Sequence, residues 1–249
     1  MKKSFLTLAV MGLALAFTTA ASAAEKAFIN GIDANYPPFA YVDNNGKAAG
    51  FDVESMDWIA NKMGFTIEHK PMDWDGIIPS LLANKIDMVC SGMSVTPERA
   101  AQVTFSDAYW KVARVFVAKQ DSGLTPEAIV AGGKRLGVQR GTSEADYLEK
   151  QKTDAGWDYD LRFYDSAPMA IEDLMNGRID AACMDSLPAN DAASKKPVAI
   201  VGLASDEEDD FAVATRNEDA ELRQLINEGY KLLMADPKWE ELKDKYVRK

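Results

Sequence analysis

The sequence predicts an α/β protein in which largely parallel strands form sheets with helices on both faces. Short apolar runs of strand length alternate with segments of helical periodicity, and this order of elements occurs in both halves of the chain. The chain has 249 residues, of which 47% are hydrophobic. This length and composition suffice for two small globular units, each with its own core.

Apolar periodicity places the elements of the first half. The predicted strands are 28–32, 65–69, 86–90 and 112–118, and the predicted helices are 51–63 and 74–84. Gly64 ends the first helix. Thr96 as N-cap and Pro97 at the first helical position begin another helix.

The second half repeats the alternation and closes with helices. Its predicted strands are 136–138, 161–164, 179–184, 198–201 and 211–214. Its predicted helices are 143–152, 168–175, 186–194, 218–234 and a short one from Pro237. The acidic segment 206–210 is expected to interrupt this order.

The first 23 residues have the three regions of a secretory signal peptide. Lys2 and Lys3 precede an apolar run over 5–17, and Ala21-Ser22-Ala23 fits the small-residue pattern of the cleavage site. An N-terminal membrane anchor is the alternative, but the apolar run is shorter than the ~20 residues that a membrane span needs. We therefore predict that residues 1–23 are removed on export to the periplasm.

Charge and composition exclude several classes of function. The formal net charge of −11 repels nucleic acid and anionic lipid. His69 is the single histidine, and Cys90 and Cys183 lack metal-ligand spacing, so we predict no metal site, no cofactor and no histidine-based triad. Two buried thiols and one disulfide bond remain open as alternatives for the cysteines.

A set of short motifs follows in fixed order along nearly the whole mature chain. They are GIDANYPPF at 31–39, GFDVE at 50–54, WDGIIPSL at 74–81, SGMSVTPER at 91–99, GVQRGTS at 137–143 and GRIDA at 177–181. Each motif alone is weak. Their order and spacing resemble the family-3 extracellular solute-binding proteins, which serve ABC importers of polar amino acids.

The resemblance implies a two-lobed periplasmic-binding-protein fold, with two mixed, mostly parallel sheets joined by a two-strand hinge. Lobe one is expected to comprise 24–111 and 211–249, and lobe two 112–210. The crossings are expected near 111–114 and 204–211. The implied protein is a monomer that closes its hinge around a free, polar or basic L-amino acid and presents it to the membrane permease of an importer.

A free amino acid is a zwitterion, and both of its charged ends need partners when they leave water. Arg99 matches the family's conserved arginine and would bind the carboxylate through its guanidinium group. Asp185, at the end of a predicted strand, would bind the ammonium group. The alternatives are a solvated helix arginine and a helix N-cap.

The remaining candidates surround these two charges. Hydroxyl and backbone groups come from Ser91, Gly92, Ser94, Thr142 and Ser143, and capping of helices is their alternative role. The amide or carbonyl of Gly92 is expected to face the ligand. Asp33, Tyr36 and Trp74 would frame the side-chain pocket, where Asp33 could pair with a basic head group or could cap its own loop.

Two other functions fit the same scaffold. Cyclohexadienyl dehydratases are enzymes that resemble this family, but such an enzyme needs a general acid or base in the cleft, and no histidine lies in the cleft motifs. Asp or Glu could also serve as that acid or base, which leaves the enzyme open as an alternative. We predict a binding protein and not an enzyme. The other rival is a soluble sensor that delivers its ligand to a receptor.

Overall fold

The computed structural model describes residues 26–248, which form two five-stranded sheets and one small three-stranded sheet. In spatial order, the first sheet contains β5 (Phe65–Met72), β1 (Lys26–Asp33), β6 (Met88–Val89), β13 (Ala214–Thr215) and β7 (Thr104–Phe105). The second contains β10 (Asp158–Tyr164), β9 (Ala131–Gln139), β11 (Ala181–Asp185), β8 (Trp110–Lys119) and β12 (Val198–Phe211). The small sheet contains β2 (Asn35–Tyr36), β3 (Ala40–Val42) and β4 (Ala48–Ala49). The signal peptide predicted for 1–23 lies outside the described residues.

Nine α-helices and one 3-10 helix lie between and after the described strands. They are α1 (Phe51–Met63), the 3-10 helix Trp74–Gly76, α2 (Ile77–Leu82), α3 (Pro97–Ala100), α4 (Pro126–Val130), α5 (Ser143–Asp154), α6 (Ala167–Met175), α7 (Ser186–Lys195), α8 (Ala220–Ala235) and α9 (Pro237–Tyr246). The helix predicted over 74–84 is thus split, because its first turn is a 3-10 turn. No helix within 26–248 is long and apolar enough to cross a bilayer.

Helices cover both faces of each large sheet. Successive side chains of a strand point to opposite faces, so both faces carry buried apolar side chains. In the second sheet, Val115 and Val117 pack towards α6 and α7, whereas Phe116 packs with Ile129 and Leu148 of α4 and α5. The first sheet has α1, α8 and α9 on one face and α2 on the other. We call the first sheet with its helices the first lobe, and the second sheet with α4–α7 the second lobe.

Both sheets are mixed. In the first, β1 is parallel to β5 and β6, whereas β13 is antiparallel to β6 and β7. In the second, β9 is parallel to β10 and β11, whereas β8 is antiparallel to β11 and β12. The antiparallel pairings arise where the chain leaves one lobe and returns to it.

Two long strands connect the lobes. β8 and β12 pair along their length, with Lys111 opposite Asp210 and Trp110 opposite Phe211. The acidic segment 206–210 does not interrupt the element order, contrary to the sequence prediction. It belongs to β12, whose register shifts between Leu203 and Glu208. The strand predicted over 211–214 is divided between the end of β12 and β13.

Both cysteines are buried and unbonded. Cys90 follows β6 in the first lobe, and its thiol contacts the hydroxyl group of Tyr230 at 3.2 Å. Cys183 lies in β11 of the second lobe. The structure therefore decides between the two alternatives in favour of separate thiols, since the side chains lie in different cores.

The carboxyl ends of β1, β9 and β11 face each other between the lobes. Asp33 ends β1, Gln139 ends β9 and Asp185 ends β11. The Gln139 Nε2 donates to Asp33 Oδ2 at 2.7 Å, and the Tyr36 hydroxyl donates to Asp185 Oδ2. The lobes therefore meet at the strand ends where open α/β sheets bind ligands.

A glycine tests the packing of α8 against α1. A Cβ atom at Gly229 would lie 2.3 Å from Ile59 Cγ2. We expect Gly229→Ala to lower the unfolding temperature, because overpacking costs ~1–3 kcal/mol and exceeds the ~1 kcal/mol gained in helix propensity. Gly76→Ala is the control, since φ is −91° and no atom lies within 4 Å of its Cβ position. Thermal unfolding that leaves Gly229→Ala as stable as wild type would contradict this packing.

Candidate functional site

One cavity of about 260 Å³ lies between the lobes, and all ten residues singled out from the sequence line it. Gln139 and Glu144 line it as well. We call it the interlobe cavity; its lining consists of Asp33, Tyr36, Trp74, Ser91, Gly92, Ser94, Arg99, Gln139, Thr142, Ser143, Glu144 and Asp185. The first lobe contributes the first seven of these residues and the second lobe contributes the last five.

Arg99 is buried in the cavity wall, with 7% of its surface exposed. Thr96 caps α3 by accepting from the Arg99 amide at 3.2 Å, as predicted. The guanidinium Nη1 donates to the Ser94 carbonyl at 2.8 Å and Nη2 to the Gly141 carbonyl at 3.2 Å. No carboxylate within the described residues forms an ion pair with it. Burial lowers the pKa of Arg99, and nearby acidic groups oppose that shift.

Asp185 is buried at the opposite wall, with 3% of its surface exposed. It occupies the N-cap position of α7 but makes no capping hydrogen bond with its side chain. Oδ2 accepts from the Tyr36 hydroxyl, whereas Oδ1 is buried without a donor among the described residues. Burial raises the pKa of Asp185 well above its usual value, and the Glu144 charge raises it further. The geometry thus disfavours the capping role.

Asp33 combines the two roles that the sequence left open. Its Oδ1 accepts from the Asn35 amide at 2.8 Å, which caps the loop after β1. Its Oδ2 lies in the cavity and accepts from Gln139 Nε2 at 2.7 Å. Burial raises the pKa of Asp33, although its bonds to Gln139 and Asn35 oppose the shift. One oxygen is therefore structural, and the other faces a neutral amide from the second lobe.

Two aromatic side chains line the cavity beside these charges. Tyr36 stacks on Phe39 with ring centroids 6.0 Å apart. Trp74 packs 5.5 Å from the Arg99 guanidinium carbon, and its Nε1 donates to the Gly141 carbonyl at 2.9 Å. Rings held in this way present flat apolar faces to the cavity.

The hydroxyl groups of the cavity hold the loops in place and also connect the lobes. Ser91 Oγ accepts from the Asp33 amide at 2.9 Å. Thr142 caps α5 by accepting from the Ala145 amide at 3.2 Å. Ser143 Oγ donates to Ser94 Oγ at 3.2 Å, across the two lobes. The capping alternative is thus correct for Thr142, which also lines the cavity.

A model of the bacterial extracellular solute-binding proteins, family 3, matches residues 28–249. The chain is a family-3 extracellular solute-binding protein. The predicted family and its two-lobed α/β fold are therefore confirmed, and so is the prediction of an exported binding protein.

Individual relatives of this solute-binding protein cover almost all of it. The ABC transporter arginine-binding protein 1 of Escherichia coli K12 is 32% identical over 247 residues, 96% of this chain and 98% of the relative. A structure of an ancestral arginine-binding protein bound to arginine is 34% identical, with a TM-score of 0.81 over 90% of this chain and 99% of that one. An ancestral amino-acid-binding protein, a precursor of cyclohexadienyl dehydratase, is 30% identical, with a TM-score of 0.81 over 88% of this chain and 95% of that one. All three are described as binding proteins.

Sequence reasoning missed two residues of the cavity in this solute-binding protein. Gln139 and Glu144 flank the RGTS segment of a motif that the resemblance had already marked. Gln139 ends β9, so the rule that ligands bind at carboxyl strand ends could have found it. Glu144 had no such signal, because a Glu in the first turn of a helix is ordinary on a solvent-exposed surface.

Of the two Gly92 groups that the sequence offered to the ligand, the amide is engaged elsewhere, and the role of the carbonyl stays a prediction. That amide donates to Asp52 Oδ2 at 2.6 Å and so points into the core, away from the cavity. The residue is a glycine because φ is +59° and a Cβ atom would lie 2.6 Å from Tyr36 Cε1. Asp52 of α1 thus supports the cavity wall from behind.

Asp52 is a fully buried carboxyl group in this solute-binding protein. Its Oδ2 also accepts from the Tyr109 hydroxyl at 2.8 Å, whereas its buried Oδ1 has no hydrogen-bond partner in the described part of the chain. Burial raises the pKa of Asp52 to about 7, although bonds from Tyr109 and Gly92 oppose this shift. Within residues 26–248, no group of three or more His, Cys, Asp or Glu side chains is placed to hold a metal ion.

Asp52 makes stability depend on pH with a defined sign. Below pH 4 the folded and unfolded chains both hold its proton, and between about 4 and 7 only the folded chain does, so stability falls as pH rises. We expect wild type to lose on the order of 4 kcal/mol relative to Asp52→Asn over that window. The exposed control Asp121→Asn is expected to follow wild type. Denaturant unfolding at several pH values checks this, and parallel curves for wild type and Asp52→Asn would contradict it.

Proposed function

We propose that this protein binds a free basic L-amino acid, with L-arginine as the first candidate, in the interlobe cavity. The observation that carries the proposal is the charge pattern of that cavity. One buried guanidinium group, that of Arg99, and three buried carboxyl groups, those of Asp33, Glu144 and Asp185, line that cavity. A ligand with one negative and two positive groups complements this pattern.

The carboxylate of the ligand would pair with Arg99. A guanidinium group can donate two parallel hydrogen bonds to a carboxylate, and it is already desolvated here. The N-terminus of the twelve-residue helix α5 begins at the same cavity and adds a favourable field for an anion. In exchange, Arg99 Nη2 would give up its 3.2 Å bond to the Gly141 carbonyl.

The ammonium group of the ligand would pair with Asp185. Its Oδ1 has no donor among residues 26–248, and an ammonium group offers three. The basic head group would lie near Asp33 Oδ2, whose described donor is a neutral amide. Tyr36 and Trp74 would cover the alkyl stem, as apolar faces do for long basic side chains.

We infer that ligand binding closes the two lobes about β8 and β12. Lobe one would comprise 24–111 and 211–249, and lobe two 112–210. Arg99 and Asp33 belong to the first of these and Asp185 to the second, so a ligand that pairs with all three binds the closed state more tightly. A shift from mostly open to mostly closed requires the ligand to bind the closed state about 5.5 kcal/mol more favourably than the open state. Two or three charge-assisted hydrogen bonds would supply that difference.

We propose a periplasmic monomer that presents the closed, loaded form to the permease of an ABC importer. The relative from Escherichia coli is described as an ABC transporter arginine-binding protein, and it matches along 98% of its length. We propose that the chain is not an enzyme. Incubation with prephenate or arogenate, followed by analysis for a dehydrated product, tests that point, because turnover would overturn it.

Substitution of the two anchoring charges tests the site. We expect Arg99→Ala and Asp185→Ala each to weaken L-arginine binding by about 10–100-fold, because each removes a charge-assisted bond worth ~1.5–3 kcal/mol. Isothermal titration calorimetry gives the dissociation constants. Arg162→Ala removes an exposed arginine of β10 and is expected to bind as wild type does. Normal binding by both cavity variants, with unchanged thermal unfolding, would contradict the assignment.

Substitution of Asp33 tests the choice of a basic side chain. L-citrulline has nearly the shape of L-arginine but an uncharged head group, so we expect wild type to prefer L-arginine by about tenfold or more. Asp33→Asn is expected to lose most of this preference, because the charge that faces the head group is gone. Competition titration with the two amino acids measures it. An unchanged preference in Asp33→Asn would place the head group elsewhere.

A further inference from the structure

Glu144 is an unusual residue in the wall of the interlobe cavity. It is the second residue of α5, and 4% of its surface is exposed. Glutamate is almost never fully buried unless it is paired. Among the described residues, no cation forms an ion pair with Glu144. Its carboxyl group accepts a long hydrogen bond from Ser143 Oγ at 3.4 Å.

The cations near Glu144 are engaged elsewhere. Arg114 of β8 pairs with Asp209 of β12 at 2.6 Å and packs 4.4 Å from the Tyr147 ring. Arg99 donates to two carbonyl groups. Glu144 therefore depends on the amino-terminal end of α5, whose field favours an anion in the first turn.

Glu144 and Asp185 both line the interlobe cavity and are both buried, and a side-chain hydrogen bond between their carboxyl groups contributes to the raised pKa of Asp185. Two carboxyl groups can form such a bond when one of them carries a proton, because two carboxylates have acceptors alone. Burial and the Glu144 charge both raise the pKa of Asp185, which favours its protonated form. The other oxygen of Asp185, Oδ1, is buried and has no donor among residues 26–248.

We propose that Glu144 and Asp185 together form a two-carboxylate site for the ammonium group of the ligand, and that binding releases the proton held between them. This proposal rests on the proposed function, since it assigns the same ammonium group a second partner. The ligand keeps its three N–H donors, the O–H bond of Asp185 breaks, and the proton passes to solvent. The ammonium group thus replaces the proton as the charge that holds the two carboxylates together.

Other charged and titratable groups face this pair from every element packed around it. They are Tyr36 of β2, Arg99 of α3, Arg114 of β8, Asp146 of α5, Cys183 of β11 and Asp209 of β12. The two arginines favour the doubly ionised pair, and Asp209 is already neutralised by Arg114 at 2.6 Å. The ammonium group adds the positive charge that the pair lacks before the ligand arrives.

The sign of the pH dependence follows from this exchange. A protein that releases a proton on binding gains affinity as pH rises, by up to about tenfold per pH unit for one proton. The affinity stops rising above the pH at which the ligand-free pair has already lost its proton. An amino-acid site with a single ionised carboxylate shows no such dependence near neutral pH.

The experiment compares wild type, Glu144→Gln and Glu149→Gln. Glu149 is an exposed glutamate of the same helix and provides the matched control. L-arginine is titrated by calorimetry between about pH 5 and pH 8, in pairs of buffers with different ionisation enthalpies, which counts the protons exchanged. We expect wild type and Glu149→Gln to release up to one proton per ligand and to gain affinity with pH. Glu144→Gln is expected to release clearly less and to give a flatter profile.

Three results would overturn the proposal in distinguishable ways. Wild type that binds L-arginine without proton release contradicts it directly, even if Glu144→Gln fails to fold. Equal proton release by wild type and a folded Glu144→Gln variant assigns the proton to another group. Wild type that binds none of the common amino acids overturns the proposed function and this inference together.

Discussion

The constraint on which the structure depends is the burial of unlike charges on two separate lobes. Arg99 lies in the first lobe and Asp185 in the second, and neither has an ion-pair partner among the described residues. A buried charge without a partner costs several kcal/mol, so carbonyl or hydroxyl groups stabilise each of the two side chains. These groups stabilise the charges less than a counter-ion would. A zwitterion supplies a counter-ion for Arg99 and one for Asp185, and so its binding is favourable.

The fold places these groups through the direction of its strands. β1, β9 and β11 are aligned so that Asp33, Gln139 and Asp185 emerge at the same gap between the sheets. The first turns of α3 and α5 begin at that gap with Arg99 and Glu144. Most buried side chains of the two lobes belong to different cores, which is the arrangement that the proposed closure about β8 and β12 requires.

Much of the site could be read from local sequence because its residues occur in short motifs at strand ends. Thr96 and Pro97 marked the start of α3 through capping chemistry that needs no long-range contact. The inward position of Asp52 could not be read, since an acidic residue in the first turn of α1 is typical of an exposed helix. The acidic segment 206–210 was likewise misplaced, because its pairing with β8 joins residues about 100 positions apart.

The sequence by itself determined the class of protein, the alternation of elements and the ten residues that line one cavity. The alternation of elements follows from periodicity and capping, which act over a few residues. The class and the site residues follow from the resemblance of the motifs, in their order, to those of the family. Tertiary structure alone decided which oxygen of Asp33 bonds to Gln139, where the Gly92 amide points and that Glu144 is buried in the same cavity as Asp185. Each of these features depends on buried side chains that come from distant segments of the chain. Their hydrogen-bond geometry and their charge interactions are set by tertiary packing and cannot be read from local sequence.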